Sequence, residues 1–74
     1  MPQDRTPLIL LGKRIRERRL ELELSQERFA ESCGVHRTYV WQIEAGRHNL
    51  ALLNLIRIAT ALDMTASQLL DGIA

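Results

Sequence analysis

An all-α fold is predicted by three features of the chain. No run of β-branched or aromatic residues alternates with period two, both prolines fall within the first seven residues, and apolar side chains recur at helical spacing between short polar connections.

Five helices are expected. Thr6 followed by Pro7 reads as an N-cap and first helical residue, and Leu8, Leu11, Ile15 and Leu22 continue at helical spacing, giving a first helix over about 7–22. Ser25 caps a second helix over about 25–32, in which Phe29, Ala30 and Cys33 form the apolar stripe and Glu27 favours the positive dipole end. Gly34 supplies the left-handed residue that stops it. His36 to Ala45 form the third helix, ended by Gly46, and Arg47 to Leu50 make a polar loop. The fourth helix, about Ala51 to Leu62, reads ALLNLIRIATAL and is apolar on nearly every side, so it must pack in the core and also against something else. Thr65 caps a last short helix, ASQLLD, closed by Gly72. Residues 1–6 read as an N-terminal tail and 7–74 as one domain whose last two helices serve dimerisation.

A chain of 74 residues buries only about 60% of its unfolded surface, so its core is marginal. Apolar residues at 46% and charged residues at 26% place it among globular chains rather than disordered ones. No apolar run approaches the roughly 20 residues of a membrane span, and the stretch Leu8 to Leu11 is too short for the core of a secretory leader. With a single cysteine, Cys33, no internal disulfide forms, and a reducing, cytoplasmic setting is expected. Cys33 and His36 have the spacing of half a zinc site but no second pair, so Cys33 is read as a small buried hydrophobe and no metal or cofactor is expected.

The net charge of +1 matters less than its distribution. Residues 13–19, KRIRERR, hold five bases against one acid, and residues 36–57 carry Arg37, Arg47, Arg57, His36 and His48 against Glu44 alone. The first of these runs reads as a solvated helix face from which Lys13 or Arg14 could reach a polyanion.

Two short amphipathic helices joined by a glycine turn, Ser25 to Gly46, form a helix-turn-helix, and this points to double-stranded DNA. At 100° per residue Val40 and Ile43 share one face of the second helix, while Arg37, Thr38, Trp41 and Gln42 occupy positions that meet base edges in a major groove. Arginine pairs bidentately with guanine, glutamine with adenine, and threonine bonds an edge or touches a thymine methyl. Trp41 is the odd member, fit to lie over sugar and thymine methyl or to pack on a protein partner. Ser25 and Gln26 open the preceding helix, whose free N–H groups favour a phosphate. His36 stands at the start of the reading helix near the backbone, and Tyr39 either packs along the helix edge or bonds a phosphate. Arg47, His48 and Asn49 follow in a loop; Arg47 and Asn49 can meet the flanking backbone, Arg47 also the minor groove, whereas His48 reads as a solvated loop residue.

The string SQERFAESCGV, followed by RTY and QIEAGRHN, resembles the Xre/Cro-type DNA-binding domain of phage repressors, and it is most similar to stand-alone bacterial members such as restriction-modification controller proteins. The likeness spans about residues 8–72. It implies a five-helix, lambda-repressor-like fold, a two-fold dimer and an operator of inverted half-sites. It also maps Gln26 to a phosphate-binding glutamine, Arg37, Thr38, Trp41 and Gln42 to base-reading positions, and Arg19 with Glu44 to a structural ion pair. Two positions depart from the family pattern: Ala51 stands where a capping Ser or Thr is usual, and Trp41 where a smaller or polar residue is usual.

Leu53, Ile56, Leu69 and Ile73 together exceed what so small a core can bury, which favours a homodimer through the last two helices. Such a dimer sets two reading helices about 34 Å apart. The function expected is a sequence-specific transcription regulator, activating or repressing according to where its operator lies relative to RNA polymerase, a further candidate partner. The alternative is a protein-interaction module such as an antitoxin or docking subunit, favoured by an exposed Trp41 but lacking a toxin-binding tail after Gly72. An enzyme is disfavoured, because no paired-carboxylate, nucleophile-base or glycine-rich phosphate constellation is present.

Overall fold

The computed structural model describes residues 4–73, which form five helices, α1 (Thr6–Glu21), α2 (Gln26–Cys33), α3 (Arg37–Glu44), α4 (Leu52–Ala61) and α5 (Ala66–Leu70), with no strand among them. The outermost residues of the 1–6 tail, 1–3, and the last residue of the 7–74 domain, 74, lie outside the described residues. Helix α1 packs on α3 and α5, α2 on α3 and α4, and α4 on α5, so that one core sits beneath the α2–α3 pair. Its largest fully buried members are Phe29, Ile15, Ile58, Leu62, Leu69 and Val40.

Side-chain caps start three of the five helices. The Ser25 Oγ accepts the Arg28 amide at 3.0 Å, and Gly34 (φ +70°) closes α2 in the left-handed conformation that only glycine adopts without penalty. Thr65 and Gln68 form a reciprocal capping box on α5 that the sequence reading missed. The expected cap at Thr6 is corrected: Thr6 is already helical, Arg5 holds the cap position, and the Thr6 amide instead donates to the Asp4 carboxylate at 2.9 Å. The Thr6 side chain, and after it this amide, hold the Asp4 carboxyl below its usual range. Ala51 gives α4 no side-chain cap, as its departure from the family pattern implied.

The basic run of α1 is structural to a degree that composition did not reveal. Arg14 donates to the carbonyls of Leu69 (3.0 Å) and Asp71, closing the end of α5. Arg18 donates through Nε to the Leu62 carbonyl at 3.0 Å, at the end of α4. Both place a cation on carbonyls left free at a helix C-terminus, where the dipole favours it. Arg14 is thereby engaged inside the fold rather than offered to a polyanion. Lys13 and Arg16 stay exposed.

Leu69 is corrected from interface to core. It has no exposed surface, because α5 lays it over α1 and α4, so it cannot meet a second protomer. Ile73 is half-buried against the same core, whereas Leu52, Leu53 and Ile56 on α4 are exposed by 68%, 70% and 44%. Cys33 is buried, and burial pushes its thiol up to about 11, which keeps it protonated and unreactive at neutral pH.

The crossing of α1 and α3 depends on Gly12. A Cβ there would lie 2.5 Å from the Ile43 carbonyl oxygen and 2.7 Å from that of Glu44, both backbone atoms with no freedom to move aside. Gly12→Ala is expected to cost about 1–3 kcal/mol through overpacking. At roughly 4–8 °C per kcal/mol for a domain of this size, thermal unfolding followed by circular dichroism should show Tm falling by about 10 °C. An unchanged Tm would mean that α1 slides freely on α3, contrary to this packing.

Candidate nucleic-acid interface

Helix α3 buries Val40 and Ile43 in the core and turns Arg37, Thr38 and Trp41 to solvent, the division its periodicity demands. Gln26, at the first turn of α2, joins Arg37, Thr38 and Trp41 around one open concavity of about 340 Å³. Gln42 is half-buried and lies outside that group.

Behind this face sits the ion pair. Arg19 Nε meets Glu44 Oε2 at 2.7 Å and its NH2 group meets Oε1 at 2.9 Å, a bidentate fork, while NH1 donates to the Leu24 carbonyl at 2.8 Å. Both side chains are nearly buried, at 8% and 4% exposure. Hydrogen bonding to Glu44 holds the Arg19 guanidinium above its usual range. Gln26 donates its side-chain amide to Glu44 Oε1 at 3.3 Å, which ties α2 to the same carboxylate. That bond uses one of the two N–H groups of the amide and leaves the other to donate. Glu44, the one acid among residues 36–57, is thus neutralised from inside, and the outer face keeps the charges of Arg37 and Arg47.

The remaining residues expected at the backbone have defined roles in the fold. Ser25 caps α2. His36 caps α3, its Nδ1 accepting the Thr38 amide at 3.1 Å; the sequence reading placed it at the helix start without recognising an imidazole as a cap. Tyr39 is half-buried, its hydroxyl accepts from the Asn54 amide at 3.0 Å, and its ring meets that of His48 edge-on at 4.7 Å between centroids. His48, expected as a solvated loop residue, is held by that contact. Arg47 lies over the Trp41 ring at 5.3 Å from its centroid, a cation–π pair that gives the exposed indole an intramolecular partner. Asn49 is exposed. Among the described residues no group of His, Cys, Asp and Glu is placed to hold a metal, and no helix is long and apolar enough to cross a membrane.

A glycine-turned pair of helices, the second presenting Arg37 and hydrogen-bonding side chains to solvent, defines a helix-turn-helix DNA-binding module. Residues 15–69 match the model of the helix-turn-helix family HTH_3, and the chain belongs to this family, which is of the Xre type and comprises DNA-binding transcription regulators rather than enzymes. Control protein C.BamHI of Bacillus amyloliquefaciens is 41% identical over 64 residues, covering 85% of this chain and 79% of the relative. The crystal structure of the restriction-modification controller protein C.AhdI from Aeromonas hydrophila superposes with a TM-score of 0.81 at 42% identity, over 84% of this chain and 94% of that one. The biofilm master regulator SinR, solved in complex with DNA, gives a TM-score of 0.77 at 32% identity over 82% and 98% of the two chains. The family and the fold are those that the residue strings implied.

Removing Glu44 strands a buried guanidinium, so Glu44→Ala should cost about 3–5 kcal/mol, whereas Gln42→Ala, which breaks no side-chain hydrogen bond among the described residues, should stay within about 1 kcal/mol. Thermal or urea melts of the two variants settle the order, and a more stable Glu44→Ala would contradict the structural role of the pair.

Proposed function

We propose that the protein is a sequence-specific transcription regulator that binds an inverted-repeat operator as a homodimer, with Arg37, Thr38, Trp41 and Gln42 toward the bases and Ser25, Gln26, His36, Tyr39, Arg47 and Asn49 toward the backbone. The observation that carries this reading is the grouping of Arg37, Thr38, Trp41 and Gln26 around one open concavity, with the Glu44 carboxylate on its inner side held by Arg19. Phosphates and base edges meet donors there, since none of the four lining residues is acidic. The similarity to controller proteins supports a role in a restriction-modification system, and action in the cytoplasm, with RNA polymerase as the machinery regulated, belongs to the same proposal.

Residues 7–74 act in this reading as the DNA-binding domain with dimerisation helices at its end. The second protomer is placed on α4, where Leu53 and Ile56 are joined by Leu52, which the sequence reading did not single out. An apolar cluster left wet in so small a protein is costly, and a two-fold partner presenting the same cluster covers both copies. Ile73 is half-buried against the core, in which Leu69 lies fully buried. The alternative reading, a protein-docking module, is favoured by Trp41, which stays 49% exposed with Arg47 over its ring.

Selection of bound sequences from a random duplex pool is expected to return an inverted repeat. Arg37→Ala and Gln42→Ala should each relax one base position at a cost of about 1–3 kcal/mol, while Gln26→Ala should lower affinity with base preference intact, because phosphate contacts position without specifying. Wild-type preferences retained in both Arg37→Ala and Gln42→Ala would remove the reading-helix assignment. In light scattering coupled to size exclusion, the protein should run as a dimer and Leu53→Glu with Ile56→Glu as a monomer; a wild-type monomer both with and without operator DNA would exclude the dimer.

A further inference from the structure

Beside the reading face lies a second concavity that the sequence reading did not foresee. It holds about 370 Å³ and is lined by Arg16, Arg19, Gln26, Trp41 and Glu44. Three helices meet in it: α1 supplies the two arginines, α2 the glutamine, and α3 the indole and the carboxylate.

Its charge balance is set by what the ion pair consumes. Arg19 and Glu44 satisfy each other through two bonds, and the Leu24 carbonyl takes a third donor of Arg19. Glu44 also accepts from Gln26. The one charge left over in the concavity is therefore Arg16, which is exposed and enters none of the side-chain hydrogen bonds or ion pairs among the described residues. Its neighbours Arg14, Arg18 and Arg19 are all committed to carbonyls or to Glu44. Gln26 contributes the second donor, the N–H that Glu44 does not use. A long cation and a fixed amide N–H facing one open space, with the indole as a wall, suit a singly charged, oxygen-rich anion that arrives from solvent.

We propose that Arg16 is a DNA-positioning residue, and that it and Gln26 grip one backbone phosphate in this concavity, flanking the bases met by α3. The proposal rests on the reading of α3 as the DNA-facing helix and adds a contact from α1, a helix that reading leaves off the DNA. In mechanical terms the phosphate bridges α1 and α2 across the buried pair, so the strand is gripped where the fold is most tightly cross-linked. The contact fixes register and carries no sequence information.

Binding of a selected duplex by fluorescence anisotropy, measured from about 50 to about 200 mM salt, tests it. Loss of one phosphate contact should make the slope of log affinity against log salt shallower by about 0.9, so that the deficit of Arg16→Ala relative to wild type narrows about three-fold across this range. Arg16→Lys should keep the slope, and the base preferences of Arg16→Ala in a random pool should match wild type. Arg28→Ala serves as the charge control, since Arg28 is exposed on the same helix as Gln26 but lines neither concavity; its slope should stay at the wild-type value. Tm of Arg16→Ala should also be unchanged. An unaltered slope in Arg16→Ala, an equal change in Arg28→Ala, a shifted base preference or a lowered Tm would each overturn the proposal while wild-type DNA binding persists. Absence of DNA binding by the wild type would instead overturn the reading on which it rests.

Discussion

The bidentate pair of Arg19 and Glu44 is the constraint on which the rest of this fold depends. It joins the middle of the domain at one point: Arg19 comes from the last turn of α1, Glu44 from the last residue of α3, and Gln26 from the first of α2. Four hydrogen bonds converge there, from Arg19 to Glu44 twice and to Leu24 once, and from Gln26 to Glu44. A pair so well dehydrated adds little net stability over an apolar contact of the same shape, because desolvation offsets most of the Coulomb attraction. What it adds is direction. An apolar patch tolerates sliding, whereas a guanidinium fork accepts a carboxylate in one plane, and the angle of α3 to α1 follows.

The rest of α1 extends this logic. At Gly12 the helix approaches the carbonyls of Ile43 and Glu44 without a side chain between them, which brings Arg19, two turns further on, within reach of Glu44. Arg14 and Arg18 then tie the ends of α5 and α4 to the same helix. A core this small cannot hold five helices by hydrophobic burial alone with much to spare. Cations placed on free C-terminal carbonyls supply part of the deficit, and they do so at the helix ends, where fraying begins.

Much of this was legible in the sequence because it follows from local chemistry. The helix period located Val40 and Ile43 inward and Arg37, Thr38 and Trp41 outward, and Ser25, Gly34 and Thr65 marked helix boundaries within a residue. The failures share a physical cause, which is that they depend on contacts distant in sequence. Nothing local distinguishes Arg14, which closes α5, from Arg16, which faces solvent, since both sit in one basic run. Leu69 and Leu53 are equally apolar, but only the packing of α5 over α1 and α4 decides which is covered. The close approach at Gly12 left no mark either, because a glycine within a helix reads as a mild weakness until its neighbour is known. His36 was missed for another reason: imidazole is not among the usual capping side chains, although an unprotonated ring nitrogen accepts an amide as well as a hydroxyl does.

One further consequence lies in the outward side chains of α3. Arg37 and Thr38 are exposed and hold no part of the fold together through their side chains, and the partner of Trp41 is a loop arginine rather than a core residue. The structure thus separates the residues that keep the domain folded from those proposed to choose its ligand. Substitutions at positions 37, 38 and 41 escape the stability threshold that polices core positions. Lineages carrying this scaffold are free to diverge in what they recognise, one side chain at a time, without passing through unfolded intermediates.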